Sequence, residues 1–269
     1  MPERFSAAET TTSLPLTILV SATILAKQDL PEAEALLLDR GRREAIYVQN
    51  LHYWHQVLPP AWGITFVENS LAPLDELAQS SGLLVGNRPV ELISFQGNEF
   101  PSAFGKGYGE ARLLDHAFSV STLLPRSRLV AKITGLQTVA NLAKMVDSLP
   151  IDSRWVADLR EHSVYRLLRS DSSGAWCDTR LFFTTADFFL AHLSGIHKDH
   201  RAGHFFLETA YYQKMRALMG RSGVHPRFPI EPVYRGPAGH WGKDYGRFRQ
   251  RAKQLVRGAL RRLVPALWI

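Results

Sequence analysis

Residues 105–135 read GKGYGEARLLDHAFSVSTLLPRSRLVAKITG. Three glycines within five positions predict a flexible loop before a helix at residues 110–123, and a following apolar run predicts a strand at residues 129–134. A helix start behind such a loop offers backbone N–H groups to a phosphate, and Lys106 adds a cation. A tight turn explains the same glycines, since their spacing matches neither the P-loop nor the dinucleotide-binding fingerprint.

Short apolar runs on either side of this stretch alternate with helical patterns. Further strands are predicted at residues 16–25, 45–49, 64–68, 90–95, 155–158 and 176–185, and further helices at residues 30–40, 137–149, 186–194 and 203–219. The runs lack strict alternation, which is typical of strands covered on both faces. The pattern predicts an α/β fold with a Rossmann-like, mostly parallel sheet flanked by helices, in one domain over residues 1–243.

The composition is that of a folded chain with a basic tail. Hydrophobic residues make up 45% of the 269 residues and charged residues 21%, which excludes a disordered protein. The single cysteine, Cys177, excludes a disulfide scaffold and a cysteine-only zinc site. The net charge of +7 arises in residues 243–269, which hold eight basic residues and one acid, because residues 1–242 hold 24 residues of each sign.

The apolar run at residues 14–26 is too short to span a bilayer. Glu3 and Glu9 precede it, where a secretory signal peptide would carry positive charge. The β-branched residues of the run favour a buried first strand, with a signal peptide as the alternative. We therefore expect a cytoplasmic protein.

The order of Gly-Lys-Gly-x-Gly-Glu, an amphipathic helix and a strand ending in Lys-Ile-Thr-Gly resembles bacterial glycosyltransferases that assemble lipopolysaccharide and capsular polysaccharide. The resemblance extends more weakly over residues 16–215 and implies the GT-A type of fold, which binds nucleotide-sugars. In that fold the strand usually ends in an Asp-x-Asp motif that holds a metal, whereas residues 132–135 contain no carboxylate. The resemblance implies a metal-independent, hexosyltransferase-like variant in which Lys or Arg side chains balance the diphosphate. Related sequences often have Arg after Thr-Gly, where Leu136 stands here.

The same resemblance implies a donor site at the ends of the strands. The nucleotide-sugar contacts expected there are Glu68, Asn69, Lys106, Gly107, Tyr108, Gly109, Glu110, Lys132, Thr134 and Gly135. No metal ligand and no cofactor is expected, and the nucleotide-sugar is a co-substrate.

Residues 203–208, GHFFLE, follow Asp178-Thr179-Arg180 in an order similar to the acceptor half of such enzymes. Inverting transfer needs a carboxylate that takes the proton of the acceptor hydroxyl. We predict Glu208 for this role, with Asp178 and then Glu231 in reserve. A helix carboxylate packed beside Tyr211 is the alternative interpretation of Glu208.

Further charged residues are assigned to the donor site. Asp158 and Arg160 end a predicted strand, where ligands gather in open parallel sheets, although an ordinary ion pair explains them equally well. The glycine-rich loop at residues 234–243 either closes over the diphosphate or connects to the tail. Its cations are Arg235, His240 and Lys243.

Histidines also suggest a zinc site. His200, His204 and Glu208 are spaced four apart, as ligands on one helix face would be. Gly203 interrupts that helix and the charged residues 198–201 indicate a solvated loop, so we expect no metal.

Residues 244–269 place apolar residues at helical spacing between basic ones and end in Leu-Trp-Ile. This pattern predicts a basic amphipathic helix on an anionic membrane surface, with packing onto its own domain as the first alternative. Nucleic-acid binding is disfavoured, because aromatic residues do not interleave with the basic ones.

The sequence therefore predicts a glycosyltransferase, peripheral on the inner membrane, that serves a glycan or lipid-linked acceptor. A non-catalytic, membrane-associated α/β nucleotide-binding protein is the alternative.

Overall fold

The computed structural model describes residues 13–26, 39–161 and 175–237. The strands are β1 Thr17–Ala22, β2 Gly63–Glu68, β3 Val90–Ser94, β4 Val130–Thr134, β5 Thr138–Val139, β6 Trp155–Glu161, β7 Ala175–Thr184, β8 Val224–His225 and β9 Tyr234–Arg235. The α-helices are α1 Arg40–Val57, α2 Asp75–Ser81, α3 Gly105–Val120, α4 Leu142–Ser148, α5 Ala186–His192 and α6 Leu207–Leu218.

A seven-stranded sheet with the order β3-β2-β1-β4-β7-β6-β8 forms the centre of the protein. Strand β7 runs antiparallel to both β4 and β6, and the other pairings within this sheet are parallel. The predicted α/β fold with a mostly parallel sheet is thus confirmed. Strands β5 and β9 form a separate antiparallel pair.

Apolar side chains cover the sheet on both faces, which explains why its strands do not alternate with polar residues. One cluster joins Ile18 and Val20 of β1 to α1, α2 and α4, and the other joins Leu19 to α3, α5 and α6. The helices therefore form one layer on each side of the sheet.

The strand predicted at residues 45–49 is wrong, because these residues lie inside helix α1. The helix buries Tyr47, Leu51 and Trp54, which recur at helical spacing, and the Asp39 side chain accepts a hydrogen bond from the Arg42 N–H at 2.7 Å. A short apolar run has no period of its own that separates strand from helix.

Two predicted helices begin later than expected. The segment at 137–149 first forms strand β5 and becomes helical at Leu142, and the segment at 203–219 becomes helical at Leu207. Most of the predicted helix at residues 30–40, the loop beyond residue 237 and the tail at residues 244–269 lie outside the described residues. No helix in the described ranges is long and apolar enough to cross a bilayer.

Candidate functional site

The parallel strands β1, β2 and β4 end at Ala22, Glu68 and Thr134 on one edge of the sheet. Ligands of open α/β sheets bind at this edge, where the loops that follow the strands diverge. Helix α3 also begins here, since it follows β3, and so does α6, because the Phe205 N–H donates to the Phe104 carbonyl at 2.8 Å. The predicted site residues in the described ranges come mainly from this edge.

A buried ion pair joins β4 to α3. The Lys132 ammonium has no exposed surface and donates to the Glu110 carboxylate, to Thr134 Oγ1 at 3.1 Å and to the Thr179 carbonyl at 2.7 Å. Ser21 Oγ donates to the same Glu110 oxygen at 3.2 Å. All three ammonium protons are thus used within the protein. Lys132 thus holds Glu110 in place, and its expected contact with the nucleotide-sugar stays a prediction.

Two Asp-x-Arg sequences lie side by side on β6 and β7, where Asp158 stands opposite Asp178. The Arg160 guanidinium donates to Asp158 at 3.2 Å and to Asp178 at 2.8 Å. Arg180 makes two further bonds to Asp178 and lies 4.1 Å over the Tyr234 ring. Asp158, Asp178 and Arg160 are buried, whereas the Arg180 side chain is 22% exposed.

The charge of Asp178 is held by these two arginines. Burial alone would raise the pKa of Asp178, but Arg180 and Arg160 outweigh it, so the pKa lies well below the usual range of an aspartate. A buried carboxylate that is fully ion-paired is a poor proton acceptor at neutral pH. The structure therefore argues against Asp178 as the catalytic base and gives it a role in ordering the strand ends.

Glu208 differs from Asp178 in that its pKa is raised rather than lowered. It is the second residue of α6 and is partly buried. Burial raises its pKa, the Glu208 backbone N–H lowers it, Glu110 and Asp178 raise it further and Lys132 lowers it. The net pKa lies above that of an ordinary glutamate, as a general base requires when it must hold a proton during turnover. A raised pKa is compatible with the predicted role of Glu208 as the base, which stays a prediction.

The glycine segment is helical rather than a loop, because α3 begins at Gly105. A Cβ at Gly107 would lie 2.6 Å from the Phe205 carbonyl oxygen and 2.8 Å from the Leu207 nitrogen, and one at Gly109 would lie 2.8 Å from the Phe100 ring. Gly107 permits close packing between α3 and the start of α6, and Gly109 permits close packing of α3 against the Phe100 ring. This packing corrects the prediction of an open phosphate-binding loop.

Gly107→Val is accordingly expected to destabilise the fold rather than remove ligand binding alone. A valine at this position overpacks a backbone contact, so we expect the free energy of unfolding to fall by about 1–3 kcal/mol. Gly41→Val is the matched helical control, since a Cβ there lies 3.7 Å from its nearest neighbour. Urea denaturation of both variants measures the difference, and equal stability would contradict the packing role.

Glu68 joins the loops that follow β1 and β2. Its carboxylate has no exposed surface and accepts hydrogen bonds from Ile24 N, Ser70 N, Ser70 Oγ, Ala72 N and Ser94 Oγ. Asn69 is also buried, and its side chain accepts a bond of 2.7 Å from Thr23 Oγ1. Glu68 thus holds these loops together from inside the protein. Both of its carboxylate oxygens accept hydrogen bonds from the chain, so neither oxygen faces a ligand.

The remaining predicted residues are spread around the edge. Lys106 is exposed at the start of α3, and Tyr108 is partly buried in a group of aromatic rings. A Cβ at Gly135 would lie 2.7 Å from the Ser21 carbonyl oxygen, so this glycine lets β4 pack against β1. Arg235 is exposed on β9, where it pairs with Thr138 of β5, and His240 and Lys243 lie outside the described residues.

A cavity of about 240 Å³ lies between α1 and the β5–β9 pair. Its lining residues are Ile46, Gln49, Asn50, Tyr53, Thr138, Arg235, Gly236 and Pro237. It adjoins the end of β4, because the Asn50 amide donates to the Gly135 carbonyl at 2.8 Å.

Sequence reasoning missed Arg180 and Tyr234 as members of the charged edge. The signal for Arg180 was present, since Asp-x-Arg occurs at both 158–160 and 178–180. Tyr234 reaches the cluster only through the pairing of β9 with β5.

The described residues do not form a zinc site. His200 and His204 precede α6, so they do not share a helix face with Glu208. No group of three or more His, Cys, Asp or Glu residues in the ranges 13–26, 39–161 and 175–237 is arranged to hold a metal ion.

No model of a known protein family matches the chain, and no curated protein sequence matches it. Solved structures that resemble it include the mannosyltransferase PcManGT from Pyrobaculum calidifontis in complex with GDP-Man and Mn2+, at 16% identity over 97% of this chain and 68% of the other, with a TM-score of 0.48. An active-site mutant of LgtC matches at 9% identity over 90% of this chain and 95% of the other, with a TM-score of 0.47. The bifunctional glycosyltransferase WbbM matches at 12% identity over 81% of this chain and 39% of the other, with a TM-score of 0.46. At these identities the likeness concerns the fold alone.

Proposed function

We propose that this protein is a glycosyltransferase that moves a sugar from a nucleotide-sugar donor to a hydroxyl group of an acceptor. The observation that carries the proposal is Glu208, a partly buried carboxylate at the start of α6 whose pKa is raised by burial and by the charges of Glu110 and Asp178. This edge of an open α/β sheet is where such proteins bind their ligands.

In the proposed reaction Glu208 takes the proton of the acceptor hydroxyl. The freed oxygen attacks the anomeric carbon of the donor sugar, and the bond from that carbon to the diphosphate breaks. The leaving nucleoside diphosphate keeps the electron pair of that bond. Arg180, which retains exposed surface beside Asp178, supplies positive charge on the side of β7.

Three carboxylates at this edge are already ion-paired within the protein. Glu110 is paired with Lys132, and Asp158 and Asp178 are paired with arginines. Hard divalent ions need several free carboxylate oxygens. We therefore propose a metal-independent reaction in which cationic side chains balance the diphosphate.

The proposed acceptor is lipid-linked or polysaccharide and belongs to bacterial surface glycan synthesis, such as lipopolysaccharide, O-antigen or capsule. Support comes from the sequence of residues 105–135 and from the basic amphipathic pattern at residues 244–269. That tail would hold the protein peripherally on the cytoplasmic face of the inner membrane, where such acceptors are assembled.

Donor turnover tests the proposed function and its metal independence in one experiment. The full chain is screened by thermal shift against UDP-, GDP-, dTDP- and CMP-sugars, and release of the nucleotide is measured with and without excess EDTA. We expect at least one donor to raise the melting temperature and to be hydrolysed at the same rate in EDTA. Binding without turnover would contradict the transferase, and turnover that EDTA stops and Mn²⁺ restores would contradict metal independence.

A further inference from the structure

The cavity between α1 and the β5–β9 pair lies on a different face of the sheet from the Glu110–Lys132 pair. Its lining residues Ile46 and Tyr53 pack against the apolar cluster that joins α1 to the sheet, and this cluster contains Ile133 of β4. The adjacent residue of β4, Lys132, bonds instead to Glu110 of α3. Neighbouring residues of a strand point to opposite faces. The cavity is therefore separate from the groups that α3 brings to the candidate active site.

Four side chains bring polar groups to this cavity that are not used elsewhere. The lining side chains that form no hydrogen bond and no ion pair within the described ranges are those of Gln49, Tyr53, Thr138 and Arg235. Gln49 and Arg235 are exposed, whereas Thr138 is buried, so the polar groups extend from the solvent into the protein. Such groups can bind an occupant without first losing a bond to the chain.

A buried amide beside the cavity also lacks a partner. Gln137 is 3% exposed, and its Nε2 donates to the carbonyl of the lining residue Pro237 at 3.3 Å. The Oε1 atom of the same planar amide is buried and accepts no hydrogen bond from the described residues. A buried acceptor without a donor destabilises the folded state. A hydroxyl or N–H group of an occupant beside Pro237 would supply the missing donor.

The charge at the cavity favours a carboxylate. Arg235 is the one charged side chain among the described lining residues, and its guanidinium can donate two parallel hydrogen bonds to a carboxylate. A phosphate monoester carries about −1.5 to −2 at neutral pH and commonly binds at a helix N-terminus. The α1 residues that line the cavity lie between positions 46 and 53, beyond the first turn of a helix that begins at Arg40. A single cation without a helix start matches one negative charge.

We propose that this cavity binds a small carboxylate that also carries hydroxyl groups, with the carboxylate on Arg235. The amides and hydroxyls of the lining bond to the hydroxyl groups, and Tyr53 and Pro237 cover the C–H groups. Its volume of about 240 Å³ is below the range of about 300–1,000 Å³ that is usual for organic ligands, so we expect an occupant of monosaccharide size or smaller. Arg235 thereby serves a second ligand rather than the diphosphate predicted from the sequence.

The test is a calorimetric titration of the full chain with glucuronate, glucose and glucose 6-phosphate. The three compounds share one ring and differ in carrying a carboxylate, no charge or a phosphate. We expect glucuronate to bind best, and we expect Arg235→Gln to weaken its binding by about tenfold or more. Thr138→Val keeps the shape of the side chain but removes a hydroxyl, and we expect a loss of about threefold. Arg128→Gln is the matched control that keeps the affinity, since Arg128 is an exposed arginine before the opposite end of β4.

Equal affinity of Arg235→Gln and the unchanged protein would overturn the proposal, and so would the absence of glucuronate binding. Equal or tighter binding of glucose or glucose 6-phosphate would refute a carboxylate as the ligand. UDP and GDP are added as competitors, and we expect neither to displace glucuronate. Displacement would place Arg235 in the donor site and refute a separate cavity site. Glucuronate binding is measured without sugar transfer, so a failure of the proposed function would leave this result unchanged.

Discussion

Glu208→Gln is expected to slow sugar transfer by ~10²-fold or more, while the nucleotide-sugar still binds. Glutamine keeps the size and the hydrogen-bonding capacity of glutamate but cannot accept the hydroxyl proton. Steady-state rates and donor affinity, measured on the same preparation, separate the loss of a base from the loss of a binding contact.

The pH profile provides a second measure of the same role. The base is active when deprotonated, so the rate rises as the pH increases through the pKa of Glu208. Because burial raises this pKa, the rising limb lies at higher pH than an ordinary glutamate would produce. The glutamine variant is expected to lose this limb.

A loss of stability does not explain the expected effect. A raised pKa means that the folded state favours the protonated, neutral form of Glu208, so its charge at neutral pH opposes folding. Removing the charge should therefore not lower the free energy of unfolding. Glu76→Gln is the matched control, since Glu76 is also the second residue of its helix and is exposed. A rate for Glu208→Gln that equals that of the control would exclude Glu208 as the base.

Asp178→Asn is expected to destabilise the protein by about 3–5 kcal/mol, because it leaves the buried Arg160 and its neighbour Arg180 without their shared carboxylate. Asp187→Asn removes a carboxylate from an exposed pair with Arg154 and is expected to cost about 1 kcal/mol or less. Urea denaturation of the two variants at neutral pH measures both values. Similar losses of unfolding free energy in the two variants would show that burial does not strengthen the ion pairs of Asp178 with Arg160 and Arg180.

The same cluster predicts acid sensitivity. The folded pKa of Asp178 lies below its unfolded value, because the arginines outweigh the effect of burial. Its contribution to stability is therefore present above the unfolded pKa and declines as the pH falls from about 4 towards the folded pKa. Asp178→Asn should remove this part of the pH dependence between neutral pH and strong acid.

Much of the fold could be predicted from local patterns. The strands near residues 64–68, 90–95 and 129–134 form where predicted, because apolar runs bounded by turn residues have few other ways to bury their side chains. The strand prediction for residues 45–49 failed because a run of five such residues fits a strand and a helix equally well. These residues form part of helix α1 because Tyr47, Leu51 and Trp54 pack together against the sheet.

The candidate site was harder to predict than the fold. Glu208 was singled out by residue type and order alone, and its role as a base stays a prediction. Lys132 and Gly107 were also singled out, but the structure places Lys132 against Glu110 and packs Gly107 against the chain at Phe205. The sequence does not show whether a lysine or a glycine contacts a ligand or another part of the chain in the folded protein.

The sequence by itself determined the α/β class, the largely parallel sheet and the strand ends at which charged residues gather, because these follow from local patterns of apolar and turn residues. Tertiary structure alone decided which charges meet. Asp158 and Asp178 are 20 residues apart and became neighbours only when β7 turned back between β4 and β6. The physical reason is that burial and ion pairing depend on which strands lie side by side, and no local pattern encodes that register.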